Sequence, residues 1–350
     1  MRLKRKHNLP LDEFINLSLY DDKFGYYMKK NPFGNKGDFI TAPNISRLFS
    51  EMIAIWILSF WQSLGCPKKF NLIELGAGNG EMMKVLIESS QNFPVFFKSC
   101  NFIINEKSPY LKKIQKKTLI KTKTNWISNI NKIKNIPCIF VANEFFDAMP
   151  IKQFFKKENK WFQKFVSLNH QNRGTYINKK FNMSKFEKKL NFEISKNQNF
   201  IEYSEIGFDY LKNIAKIIKK NDGGILIIDY GYTQKRMKNT LQAISKHKFV
   251  NILNNIGNAD ITHNLSFELY KNFIKKMNGL TNNLTTQRKF LINMGIKERA
   301  EIISKNKNFL KKADIYYRLK RLIDKKQMGN LFKVMLIKNN KNKFKLGFTN

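Results

Sequence analysis

The chain has little of what several large protein classes require. Its three cysteines, Cys66, Cys100 and Cys138, lie far apart, form no CxxC pair and leave one over, which excludes a complete disulfide framework. Reduced thiols suit a cytosol. The histidines show no metal-ligand spacing; His247 and His263 read as surface or core residues, and no metal is expected. No nucleophile–histidine–acid triad stands out. No apolar run reaches the length of a membrane span: the longest, Met52–Trp61, is about half of what a bilayer needs and reads as a buried helix. Met1–His7 is basic, yet no apolar segment follows it, and no Ser- and Arg-rich transit stretch precedes the patterned sequence near Leu11. A bacterial cytoplasm is the expected location. Internal repeats are absent too.

Acidic residues are scarce. Against 64 basic side chains stand 26 acidic ones, giving a formal charge of +38. One reading is a polyanionic partner. The other is composition: Lys, Asn, Ile and Phe, all with AT-rich codons, are abundant, the lysines run along the whole chain, and arginine occurs only at positions 2, 5, 47, 173, 236, 288, 299, 318 and 321. Bidentate reading of nucleic acid favours arginine. A nucleic-acid partner therefore stays open and is not favoured.

What is present is a folding chain. A hydrophobic fraction of 42% and an aromatic fraction of 13% support a sizeable core. Residues 1–64 read as two helices around a Gly-, Asn- and Asp-rich loop, with turns at Phe24–Tyr27 and Phe33–Phe39. Over 65–150 the pattern changes to short, uniformly apolar strands alternating with helices, as in a parallel sheet covered on both faces. Aromatic alternation around Glu158–Lys160 predicts a β-hairpin within an insertion over 151–205. Residues 206–231 return a helix and the strand Ile225–Asp229 to the sheet. The spacing over 232–328 reads as a mainly helical substrate or cap region, and 329–350 as a closing strand, Phe332–Ile337, with a tail.

The string Ile73–Gly80 sits directly after a strand and before a helix. Gly76, Gly78 and Gly80 allow a tight turn and close approach of a ligand to the backbone. The turn lies outside the carboxyl end of a strand, where open α/β sheets bind ligands. Glu106 closes the next strand, placed to accept hydrogen bonds from ribose hydroxyls. A dinucleotide calls for GxGxxG; here the turn is GxGxG behind an acid, Glu74, which suits a cation better than a pyrophosphate. S-adenosylmethionine carries an amino group and a sulfonium, so it is the expected cofactor, with Asn143 at the end of a further strand. Trp126 either stacks on adenine or belongs to the core.

These strings resemble the MidA-like class I methyltransferases. The resemblance rests on Gly37–Pro43, Glu74–Gly80, Glu106–Pro109, Ala142–Ala148, Ile228–Gly231, Thr240–Ala243, Thr286–Leu291 and Met328–Val334, in the family's order and over nearly the whole chain. It departs from the family at Asn44 and Ser266, where acids are usual. The resemblance implies a Rossmann-like α/β fold with a seven-stranded sheet, mostly parallel with an antiparallel last strand. It places Asp38, Thr41 and Pro43 in a loop over the cofactor. It also implies a protein substrate, a respiratory complex I subunit, methylated on arginine. Oligomeric state is not legible.

Methyl transfer to a guanidinium brings two cations together, so carboxylates must offset the repulsion, orient the nitrogen and take its proton. Glu144 and Asp147, three apart after a strand, would share one face of a helical turn and are the candidates, either one serving as base. Asp147 reads equally as a turn former. Asp229, after the next strand, is a third candidate. Two other classes stay open: a nucleic-acid methyltransferase, against which stands the lack of an N-P-P-Y/F string, and a non-catalytic assembly chaperone, against which stands the intact glycine turn.

Overall fold

The computed structural model describes residues 8–30, 32, 38, 41–169 and 173–349. The basic Met1–His7 stretch and most of the Phe33–Phe39 turn lie outside the described residues. The chain forms two units from interleaved stretches: 1–30, 146–211 and 232–273 in one, and 31–145, 212–231 and 274–350 in the other. The segment 1–64, expected as one piece, is thus divided between them.

The larger unit carries the sheet. Its principal elements, in chain order and among further helices, are α1 (Arg47–Ser63), β1 (Phe70–Leu75), α2 (Glu81–Ser90), β2 (Cys100–Asn105), α3 (Pro109–Thr118), β3 (Thr124–Ile127), β4 (Cys138–Asn143), β5 (Gly223–Tyr232), β6 (Leu280–Thr286), α4 (Phe309–Ile323) and β7 (Phe332–Asn339). Along the sheet the order is β6-β7-β5-β4-β1-β2-β3. β1 to β5 pair in parallel, with Ile73 opposite both Ile103 and Phe140, and Ile225 opposite Phe140. β7, last in the chain, inserts antiparallel between β5 and β6. The central strands β1, β4 and most of β5 are buried along their length, as their predominantly apolar runs require.

Local chemistry sets the element boundaries. Ser46 caps α1, its hydroxyl accepting from the Leu48 N–H, and α1 buries Phe49, Trp56 and Phe60. Trp56 stacks on Phe60 with ring centroids 5.1 Å apart. The Met52–Trp61 run is therefore core, and no helix among the described residues is long and apolar enough to cross a membrane. Ser108 caps α3 in the same way, with Pro109 at its first position.

The smaller unit contains the expected hairpin. Lys152–Lys157 and Lys160–Leu168 pair antiparallel, and Glu158 and Asn159 turn the corner at φ 49° and 58°, the left-handed pair of a type I′ turn. Asn8–Pro10, Gly174–Lys180 and Phe200–Tyr203 complete this sheet, and Gln242–Ser245, Lys248–Phe249 and Asp260–Thr262 form a second, three-stranded one. Over 232–328 helical residues outnumber strand residues. Besides its helices the stretch contains this small sheet and β6, and from Ile274 onward it belongs to the larger unit.

Gly223 opens β5 at φ 117°, and a Cβ there would lie 1.9 Å from the Cys138 carbonyl oxygen. Gly223→Ala is expected to destabilise the fold by more than about 3 kcal/mol, through backbone strain and a clash that neither strand can relieve. Denaturant melts of parent and variant measure it; equal midpoints would refute this account of β5 pairing.

Candidate functional site

β1 ends at Leu75 and the chain turns at once through Gly76, Gly78 and Gly80, at φ 63°, 53° and 87°. L-residues rarely adopt this region. At Gly76 a Cβ would also meet the Phe145 ring at 2.8 Å. A small cleft of about 30 Å³ opens at this turn. Of the residues expected to bind cofactor, Thr41, Pro43, Glu74, Gly76, Gly78 and Asn143 line it, together with Glu144.

The cleft is short of hydrogen-bond donors. Glu74 is 3% exposed and its Oε2 has no hydrogen-bond partner; Asn143 Oδ1 is also buried without one. Burial first, then the neighbouring Glu106 carboxyl, push the Glu74 pKa up to about 8, and the Met83 backbone offsets this only in part. Buried acceptors without donors are costly. A ligand that brings cationic or N–H groups satisfies them, which is the chemistry of the amino and sulfonium groups of S-adenosylmethionine.

Glu106, Trp126, Asp38 and Gly80 do not line the cleft itself. Glu106 is buried behind it: its Oε1 accepts the Ser108 N–H at 2.9 Å and its Oε2 accepts Gln115 Nε2 at 2.9 Å. Burial raises the Glu106 pKa, opposed by those bonds. Gln115 was not singled out from the sequence. Fully buried on the otherwise lysine-rich α3, its Nε2 also donates to the Gly78 carbonyl at 2.9 Å, and its Oε1 accepts Trp126 Nε1 at 2.9 Å. One amide thus ties the glycine turn, the strand-end acid and the half-buried tryptophan together. The available signal was an uncharged amide among lysines, nine residues after Glu106. Asn44 also lines the cleft. It donates to Thr41 Oγ1 and accepts from Asn79 Nδ2, each at 2.8 Å. Asp38 is buried, its N–H donating to the Pro32 carbonyl at 2.8 Å.

Glu144 follows β4 directly. Its Oε1 accepts from Asn143 Nδ2 at 3.1 Å and from the Ala42 N–H at 3.4 Å, and its Oε2 accepts from the Tyr230 hydroxyl at 3.1 Å. Burial pushes its pKa up to about 7 despite these three bonds. The expected helical turn carrying Glu144 and Asp147 on one face does not form: Glu144 sits at φ 50°, left-handed, and residues 144–147 are not helical. Asp147 falls in the smaller unit, where its carbonyl accepts the His263 N–H at 3.0 Å. Asp229 is fully buried outside the cleft lining, its Oδ1 accepting the Tyr230 N–H at 2.9 Å. Tyr230 is the residue of that strand end that meets Glu144. His263 is buried, and burial lowers its pKa to about 4. No group of three or more metal-ligating side chains occurs among the described residues.

Comparison with known proteins agrees with this geometry. Residues 52–285 match a family described as S-adenosyl-L-methionine-dependent methyltransferase. The chain is 27% identical to a protein of Xenopus laevis named protein arginine methyltransferase NDUFAF7, mitochondrial, over 95% of this chain and 81% of that one. It is 25% identical to the human protein of the same name, over 88% and 74%. Among solved structures, a COG1565 superfamily member from Burkholderia thailandensis, bound to S-adenosyl-homocysteine, has the same fold. Its TM-score is 0.80 at 21% identity, covering 98% of this chain and 89% of that one. The expectation of a bacterial cytoplasm is corrected by the first of these findings: the relatives over most of the chain are named as mitochondrial proteins.

Two outcomes follow from the buried acids and the amide. The folded pKa of Glu74, about 8, exceeds its ordinary 4.5, so its contribution to stability is full below about pH 4.5 and is lost as pH rises through about 8. Glu74→Gln is therefore expected to melt at a higher temperature than the cofactor-free parent at pH 8, while binding S-adenosylmethionine more weakly. Calorimetry at pH 5 and 8 reads both, and tighter or equal binding counts against a cofactor role. Gln115→Leu strands the Glu106 carboxyl, the Gly78 carbonyl and the Trp126 N–H at once. Its cofactor Kd is expected to rise about tenfold or more; an unchanged Kd would remove Gln115 from the site.

Proposed function

The chain belongs to the S-adenosyl-L-methionine-dependent methyltransferase family, and from that membership we propose that it methylates an arginine side chain of a protein, with Glu144 receiving the guanidinium and its proton. The names of the relatives that match it over most of its length support the substrate class. The client implied by the family resemblance, a subunit of respiratory complex I, is part of the same proposal.

Glu144 carries the reading. It is a half-buried residue beside the glycine turn, its carboxyl withdrawn far enough from water to push the pKa to about 7, on a backbone that costs strain to hold. Such strain persists where surrounding structure over-determines it, typically at functional sites. When bound, S-adenosylmethionine supplies an electrophilic methyl group on a sulfonium. Glu74 and Asn143 offer it acceptors, and the Glu106–Gln115 pair sets the turn it rests on. In the low dielectric of such a cleft, two cations repel by several kcal/mol. An ionised Glu144 offsets that repulsion, orients a guanidinium N–H by a charge-assisted hydrogen bond and accepts the proton released as the nitrogen–methyl bond forms. Tyr230 and the Ala42 N–H hold the carboxylate while it does so. Asp147 and Asp229 are assigned positioning roles at most, since neither lines the cleft.

Labelled-methyl transfer into a lysate from a strain lacking this protein, followed by mass spectrometry, tests the substrate class. Label in protein arginine is expected; label in RNA would overturn the proposal. The base must be ionised to act, so log kcat/KM is expected to rise with pH and level off above about 7. Glu144→Gln is expected to lower kcat by about a hundredfold or more and to abolish that rising limb, with cofactor Kd nearly unchanged. Retention of the limb in the variant would assign the base elsewhere.

A further inference from the structure

The stretch 302–326 concentrates both charge and exposed apolar surface. It holds nine basic and two acidic side chains, a denser basic run than the chain's 64 in 350. Within it α4 buries Leu319, Leu322 and Ile323 against the larger unit. Its opposite face repeats at helical spacing as Phe309, Leu310, Ala313, Tyr316 and Tyr317. This face is exposed: Phe309 by 81%, Leu310 by 76% and Tyr317 by 63%, with Ile302 nearby in sequence at 59%. One acid of the helix, Asp314, is ion-paired to Arg318 at 2.7 Å, so its charge is offset locally. Lysines at 305, 307, 311, 312 and 320 are exposed around the apolar face.

Contiguous exposed apolar surface rimmed by charge marks an interaction surface, and three observations select its occupant. A second copy of the chain would bring another +38 against this one, so self-association through a lysine-rich face is opposed by charge. Side chains exposed by 76% and 81% protrude; they do not line the groove that an acidic peptide would need. Single-stranded nucleic acid calls for a basic groove lined by stacking rings, whereas here Leu310 and Ile302 protrude beside the rings of Phe309 and Tyr317 on an outward helix face. Protruding Phe and Leu, Tyr at the same level and lysines with long apolar stems match the boundary of an anionic bilayer.

We propose that the outer face of α4 seats the protein on an anionic phospholipid surface, with Phe309 and Leu310 entering the acyl boundary and the flanking lysines meeting lipid phosphates. This contact is peripheral and independent of the methyl-transfer reading, because α4 contributes nothing to the cofactor cleft. The full chain is expected to co-sediment with phosphatidylcholine vesicles containing phosphatidylglycerol and not with pure phosphatidylcholine vesicles. Phe309→Ser/Leu310→Ser is expected to weaken this binding about tenfold or more while S-adenosylmethionine Kd is unchanged, which certifies the fold. Lys311→Gln/Lys312→Gln is expected to flatten its salt dependence. Equal vesicle binding by parent and Phe309/Leu310 variant, indifference to anionic lipid, or loss in that variant of RNA or acidic-peptide binding in place of vesicle binding would overturn the proposal.

Discussion

Carboxyl groups withdrawn from water at one edge of the sheet are the constraint around which the larger unit is organised. Glu74, Glu106 and Glu144 are all raised above the usual carboxylate range, and burial is the first cause for each. Raising Glu74 from 4.5 to about 8 penalises its ionised form by several kcal/mol, at roughly 1.4 kcal/mol per unit. Native chains seldom keep such groups without a compensating partner. Here the compensation suits a ligand that carries positive charge, which ties an unfavourable feature of the fold to the chemistry of its cofactor.

The sheet brings these groups together through the parallel pairing of its inner strands. Leu75 lies opposite Asn105 and Ala142, and Ile228 opposite Asn143, so the carboxyl ends of β1, β2, β4 and β5 share one edge. Side chains far apart in sequence, from Glu74 to Tyr230, are delivered there by strands that are mostly apolar and carry polar residues near the carboxyl ends. What the strands do not supply comes from α3: Gln115 reaches the Gly78 carbonyl and Glu106 together, turning two strand ends into one rigid rim.

Legibility in the sequence followed locality. The glycine turn after β1 and the hairpin at Glu158–Asn159 each announce themselves within about ten residues, and both form where the pattern puts them. β6 was missed because Leu280–Thr286 is rich in Thr and Asn and half-buried throughout, with neither an apolar run nor a clean alternation. Its place is set by pairing with β7, more than forty residues away. The division into interleaved units escaped notice for the same reason, since contacts between distant stretches leave no period. The helical turn expected at Glu144 failed on a single dihedral angle: nothing in the residue type advertises that a glutamate will sit at φ 50°.

The two raised carboxyls of the cleft are not equivalent, and the difference bears on which would serve as base under the proposed assignment. Glu74 is raised in part by a second acid, Glu106, so like charges must coexist once it ionises. A cation beside it relieves that, so under the proposed assignment Glu74 is the group that faces the cofactor's positive charge. No other acid contributes to the shift at Glu144. Its carboxylate is opposed by burial alone and is held by donors from three places: the Ala42 backbone before α1, Asn143 at the end of β4 and Tyr230 at the end of β5. A group so held can gain and lose a proton without moving and without disturbing the cofactor's own counter-charge. A pKa near 7 makes both states accessible at neutral pH, which a proton acceptor that must be reset every turnover requires.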